Sequence, residues 1–225
     1  AYRDQIPNYE NQEMLKVILS RSARSARLTT QFDLDFAKVP QTEPYWCYKH
    51  SRMCMPTTTA YQFLKHYSVD TVERLEQFAS QRTNATITIR NEDSRFAQIP
   101  PIDGVITSPP YVGLIDYHEQ HRYAYELLGL QDKSDAEIGP AKKGSSQKAQ
   151  RAYQDAIVEV VQRAQQAMPS GGYIIIVAGD KYGLYDEIAR RCEVEVEAVL
   201  KRHVNRRTGR RSSEFYESVF VWRKA

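Results

Sequence analysis

Six consecutive apolar residues, Tyr173-Ile174-Ile175-Ile176-Val177-Ala178, constrain this chain more than any other feature. A run of this length and type predicts a strand buried on both faces, as found inside an α/β sheet. Pro169-Ser170-Gly171-Gly172 stands just before it and stops a long amphipathic helix marked by Tyr153, Ile157, Val160, Val161 and Ala164. The alternation extends in both directions. Ala85-Thr86-Ile87-Thr88-Ile89 predicts a β-branched strand ending in Asn91-Glu92-Asp93-Ser94, and Ile102 to Thr107 predicts a second, ending in a double proline. A helix is expected over 112–128 and another near 184–191. The alternating stretch Val194-Glu195-Val196-Glu197-Ala198 and the closing Ser218-Val219-Phe220-Val221-Trp222 complete the set of strands. Strands that alternate with helices imply an α/β fold: an open, mostly parallel sheet covered by helices, with working loops at the strands' carboxyl ends. The last two strands are joined by a loop, which predicts a terminal antiparallel pair.

The region before residue 84 has a different character. Helical spacing runs from Asn11 to Arg27, with Leu15, Ile18, Leu19 and Ser22 on one side and Arg21, Arg24 and Arg27 on a neighbouring face. That basic face reads as solvated surface or as phosphate contact. Residues 28–56 look irregular, with Pro40, Pro44 and Pro56 as punctuation. Two helices are expected near 57–67 and 70–82, the second opened by the capping-box pair Asp70 and Glu73 and striped by Val72, Leu75 and Phe78. The expected organisation is a mainly helical region over 1–83, with DNA contact open to it, and an α/β region over 84–225. Gln131 to Gln150 is polar and contains Gly139, Pro140 and Gly144, which predicts a mobile loop or insertion.

Composition narrows the setting. No stretch approaches the run of about 20 apolar residues that spans a bilayer, and the first residues lack a secretory pattern, so the expected compartment is the cytoplasm. Three cysteines, Cys47, Cys54 and Cys192, argue against a disulfide framework. Cys47, His50, Cys54 and His66 are zinc ligands by type, but their spacing fits no standard site, and no metal is expected. Trp46, Tyr48, Lys49, His50, Ser51 and Arg52 form an aromatic-basic cluster, readable as a DNA-facing loop or as packing. The net charge of +3 decides little, but Lys201, Arg202, Arg206, Arg207, Arg210 and Arg211 crowd one loop with no acidic residue among them. Such a run suits a polyanion whose binding weakens steeply with salt.

Thr107-Ser108-Pro109-Pro110-Tyr111 lies directly after a predicted strand, where a ligand-binding loop belongs. At these residues the chain resembles the S-adenosylmethionine-dependent DNA amino-methyltransferases, whose (Asp, Asn or Ser)-Pro-Pro-(Tyr or Phe) motif ends a strand of a Rossmann-like sheet. The resemblance implies that Ser108, Pro109, Pro110 and Tyr111 are catalytic. An exocyclic base amine is a poor nucleophile because its lone pair is delocalised into the ring. Ser108 Oγ and the Pro109 carbonyl can accept its two hydrogens, and Tyr111 offers a ring face to a base rotated out of the duplex. Thr107 and Asp93 are the implied cofactor-binding residues, with Asp93 meeting the cofactor's adenine amino group. Asp180, at the end of the apolar strand, is open to a role in the base pocket or as a helix cap.

The resemblance implies methyl transfer from S-adenosylmethionine to double-stranded DNA in a restriction–modification setting. Ser108 at the first motif position implies cytosine N4 rather than adenine N6 as the target. An RNA guanine-amino methyltransferase and a catalytically silent DNA-binding or specificity subunit remain as rivals. The chain departs from the family in two respects: it contains no glycine-rich loop for the methionine part of the cofactor and no second acidic residue for its ribose. The resemblance is good over roughly 84–225 and weak before it. A missing N-terminal segment or a partner subunit carrying the glycine-rich loop is therefore expected.

Overall fold

The computed structural model describes residues 9–26, 43–47, 51–57, 59–204 and 215–225. They fall into two compact units, Ala1–Thr88 with His118–Asp132, and Ile89–Tyr117 with Lys133–Ala225.

The first unit is mainly helical. Helix α1 (Tyr9–Ser25) packs against α2 (Tyr61–Ala79) and α4 (Arg122–Leu128), with the single turn α3 (Tyr117–Gln120) ahead of α4. A short antiparallel hairpin, β1 (Tyr45–Cys47) with β2 (Arg52–Cys54), lies in the stretch expected to be irregular. The two helices expected over 57–82 are one. Ser68-Val69-Asp70-Thr71 contains no breaker, and Asp70 is satisfied within the helix by Arg74 at 3.0 Å and from α1 by Arg21 at 3.1 Å. Asp70 is therefore no cap. Arg21 also lies 4.2 Å from the Tyr67 ring centre, so this member of the basic face is spent on packing α1 against α2. Arg27 is outside the described residues. Val72, Leu75 and Phe78 form the expected stripe and are exposed.

The second unit is built on a four-stranded sheet of order β3 (Gly104–Thr107), β4 (Tyr173–Ala178), β6 (Phe215–Lys224), β5 (Val194–Val204). Helices α5 (Gln147–Gln166) and α6 (Tyr185–Arg191) contribute the other half of its core. Ser146 caps α5 by accepting the Ala149 N–H at 3.3 Å. From the helices come Tyr153, Ile157, Val161, Tyr185 and Ile188; from the sheet come Ile174, Ile176, Ala178, Phe220 and Trp222.

The sheet is mixed α/β as expected, but "mostly parallel" is corrected. Among the described residues only β3 and β4 pair in parallel, and both other pairings are antiparallel. The terminal antiparallel pair is β5 with β6. The strand expected at Ala85–Ile89 is absent: the segment has no ladder partner and leaves Ile87 69% and Ile89 90% exposed. β-Branched residues favour a strand only where a neighbour supplies hydrogen bonds and packing. β4 is likewise buried on one face rather than two, with Ile174, Ile176 and Ala178 inward and Tyr173, Ile175 and Val177 outward.

The polar stretch 131–150 is tied down rather than loose. Two single 3-10 turns (Ser134–Ala136 and Ala141–Lys143) flank a fully buried Pro140. Gly113 N–H donates to Gly139 O at 2.9 Å, and the Lys142 N–H donates to Asp116 at 3.0 Å. Composition alone hides this, because the anchors are backbone groups. In place of the one helix expected over 112–128, a turn at 112–114 precedes α3 and α4.

Candidate active site

Parallel strands β3 and β4 end side by side, so the loops that follow them share one edge of the sheet. Ser108-Pro109-Pro110-Tyr111 leaves β3 directly after the half-buried Thr107, and Gly179-Asp180 leaves β4. Prolines 109 and 110 lack backbone N–H groups, so at these two positions the backbone can be held only through its carbonyls. Ser108 is exposed at its start.

Tyr111 turns back toward β6, where its hydroxyl donates to Glu217. The β5–β6 register sets Arg202 opposite Glu217, and the Arg202 guanidinium pairs with the same carboxylate. The electrostatics agree on both sides of the Tyr111–Glu217 bond. Burial, then the neighbouring carboxylate, drive the Tyr111 phenol well above its ordinary value. The hydrogen bond from Tyr111, then Arg202, hold the Glu217 carboxyl below its ordinary value. The pair is thus a neutral phenol donating to a carboxylate.

Behind the loop lies a second layer of phenols. Tyr153 of α5 donates its hydroxyl to the Pro110 carbonyl at 2.9 Å and meets the Tyr185 hydroxyl at 2.8 Å. Tyr185 in turn stacks on Phe220 with ring centroids 4.6 Å apart. Asp180 accepts the backbone N–H groups of Leu184 at 2.7 Å and Tyr185 at 3.3 Å, so it serves the start of α6. Of the two roles open to it, this is the capping one.

Asp93 has a different partner. Arg95 donates its Nε to Oδ1 at 3.0 Å and its Nη2 to Oδ2 at 2.5 Å, which lowers the carboxyl's pKa. Arg95 is itself fixed, donating to Ala136 O at 3.2 Å while its carbonyl accepts Arg163 Nε at 2.6 Å. With both Asp93 oxygens on Arg95 and no glycine-rich loop in the sequence, these residues do not by themselves form a site for S-adenosylmethionine.

Of the basic run, Lys201 and Arg202 are exposed at the end of β5, while Arg206, Arg207, Arg210 and Arg211 lie outside the described residues. Tyr48, Lys49 and His50 of the aromatic-basic cluster also lie outside them; Trp46 and Arg52 are exposed. Among the described residues no group of three or more His, Cys, Asp or Glu could hold a metal ion. No helix among them is long and apolar enough to cross a membrane. Glu217, Tyr153 and Tyr185 were not legible as site residues. Tyr153 carries the ordinary signature of an amphipathic helix, and Glu217 is a single acid next to the apolar run of β6.

No family model matches the chain. It is 42% identical over 220 residues to the Type II methyltransferase M.MjaII of Methanocaldococcus jannaschii, an alignment covering 91% of this chain and 42% of that protein. The chain thus spans less than half the length of this curated relative. Solved structures of TTHA0409 from Thermus thermophilus, provisionally named a DNA modification methylase, are also similar. One is 20% identical with a TM-score of 0.34, covering 59% of this chain and 52% of that one. A second, complexed with S-adenosyl-L-methionine, has a TM-score of 0.32.

Proposed function

We propose that this chain, a homologue of part of a type II methyltransferase, carries the target-base half of a DNA methyltransferase active site. The reaction is methyl transfer from S-adenosylmethionine to an exocyclic amine of double-stranded DNA, with cytosine N4 as the target and restriction–modification as the setting. One observation carries the reading: Ser108-Pro109-Pro110-Tyr111 stands at the carboxyl end of a parallel strand, braced from behind and tethered at Tyr111. The 42% identity to M.MjaII supports it.

In this reading Ser108 Oγ and the Pro109 carbonyl accept the two amine hydrogens. That arrangement favours a pyramidal nitrogen with its lone pair directed away from the base ring. Tyr111 stacks on the extruded base, a contact worth roughly 1–3 kcal/mol. Thr107 and Asp93 border the cofactor, and Lys201, Arg202, Arg206, Arg207, Arg210 and Arg211 follow the phosphates. Residues 1–83 form a helical region that contributes to DNA contact, and 84–225 the catalytic region. The glycine-rich loop comes from a further segment or a partner subunit. The open edge of β3 supports this last point, since β3 has β4 as its one neighbour among the described residues.

The test is product analysis. The chain is combined with a segment carrying the glycine-rich loop, duplex DNA and S-adenosylmethionine, and the DNA is digested and weighed as nucleosides. N4-methyl-2′-deoxycytidine is expected. N6-methyl-2′-deoxyadenosine would overturn the cytosine assignment, and methylation of RNA but not DNA would overturn the substrate.

A further inference from the structure

Pro109 and Pro110 have φ set by their rings, so the main remaining freedom of the loop is rotation about ψ of Pro110. That rotation turns the peptide plane joining Pro110 to Tyr111. A donor on the Pro110 carbonyl stops it, and the structure supplies one donor from α5, the Tyr153 hydroxyl at 2.9 Å. Tyr153 is 3% exposed. Its single proton goes to a carbonyl, which can only accept, so the proton in the 2.8 Å contact with Tyr185 must come from Tyr185. Tyr185 is fixed in its turn by stacking on Phe220 and by its backbone N–H on Asp180. Burial pushes the Tyr153 phenol up to about 12 and Tyr185 higher still, so both keep their protons at neutral pH.

We propose that Tyr153 is a positioning residue: its hydroxyl, oriented by Tyr185, sets the Pro110–Tyr111 peptide plane and so fixes where the Tyr111 ring stands. The inference rests on the methyltransferase reading above and adds to it the residue that aligns the base platform. Tyr111 is then held at two points, through its backbone by Tyr153 and through its hydroxyl by Glu217. A buried hydroxyl that merely satisfied itself would matter for stability alone. One that sets a peptide plane matters for the geometry of the bound base.

The experiment uses Tyr153→Phe, which keeps the ring and removes the oxygen, in the chain assembled with the glycine-loop segment. Labelling proline carbonyl carbons with 13C and tyrosine nitrogens with 15N in this chain alone marks two peptide bonds, Pro44–Tyr45 and Pro110–Tyr111. The variant should move the Pro110 carbonyl signal and leave Pro44 in place. Its kcat for methyl transfer should fall about tenfold or more while KM for DNA stays within about threefold, because a misaligned reactive geometry costs rate before binding. An unmoved Pro110 signal overturns the proposal, and so does a moved signal with unchanged kcat. A wild-type protein that methylates no DNA would bring down the functional reading and the kinetic half with it, while the carbonyl signal still decides what the hydroxyl holds. If Tyr153→Phe fails to fold, Tyr185→Phe carries the same test with a smaller shift, since it removes only the donor to Tyr153.

Discussion

Glu217 governs how firmly Tyr111 can present its ring, and its ionisation gives that control a pH dependence. Its pKa is depressed in the folded chain by Tyr111 first and Arg202 second. A depressed carboxylate contributes stability that is fully present above its unfolded value, near 4.3, and is lost as pH falls through the lower folded value. The window therefore lies on the acid side of the ordinary carboxylate range, and the tether is intact at neutral pH. In Tyr111→Phe, carbon-13 NMR of the Glu217 carboxyl should show its titration moving up toward the ordinary value; an unchanged titration would mean Arg202 alone holds it. At Ser108 the expectation is kinetic. Ser108→Ala removes one acceptor for the amine, and by analogy with loss of a single preorganised hydrogen bond should cost about 3 kcal/mol of barrier. Single-turnover methyl transfer in the assembled enzyme measures this, and a wild-type rate would remove Ser108 from the catalytic set. These residues differ in how readable they were. Ser108 to Tyr111 are contiguous and carry their meaning locally. Glu217 meets Tyr111 across 106 positions through a strand register that no local pattern encodes.

At the scale of elements, the loop at 131–150 shows how backbone conformation outranks composition. Gly139 has φ +65°, and a Cβ there would stand 2.7 Å from Tyr153 Cδ2 and 3.2 Å from the Val112 backbone. Gly139→Ala should therefore strain the loop and push on the ring that braces Pro110. A loss of about 1–3 kcal/mol in urea unfolding is expected, and stability within experimental error of the wild type would refute this account of the glycine. The apolar period of α5 was legible because it buries its stripe within the second unit, whereas the unbroken apolar run of β4 marked a strand but not that one face alone is buried. Ala85–Ile89 misled because strand propensity is realised only against a neighbour, and these residues have none among those described. Asp70 misled in the opposite way, since a capping pattern is equally satisfied by Arg74 four residues on and by Arg21. The basic run after β5 calls for a functional test. Replacing Arg206, Arg207, Arg210 and Arg211 by Ser should flatten the salt dependence of DNA affinity by roughly one unit of slope for each phosphate no longer neutralised. An unchanged slope in filter binding would show that these side chains do not meet the phosphates.

Among the described residues, the sheet of the second unit ends at an open edge on β3. β3 is paired with β4 on one side only, which leaves a row of backbone N–H and C=O groups facing outward among the described residues. Ile106 is 81% exposed. It shares a face with Ile175 and Val221 through the strand registers, and neither of those is fully buried. A short parallel edge strand with a bare isoleucine is unusual in an α/β sheet, where both faces are ordinarily covered. The parts that hold Tyr111 are already in place, while the parts a cofactor would need are not: both Asp93 oxygens lie on Arg95, and no glycine-rich loop is present. On the proposed reading, one further segment that pairs with β3 and carries that loop would supply both. The chain alone is therefore expected to bind S-adenosylmethionine too weakly for calorimetry at micromolar concentration and to transfer no methyl groups. Adding the glycine-loop segment should restore both and should also slow amide hydrogen exchange across 104–107, because the free edge becomes a paired one. Micromolar cofactor binding by the chain alone would show that the site is complete without such a segment. Restored activity with no protection at 104–107 would show that the segment docks elsewhere than on β3.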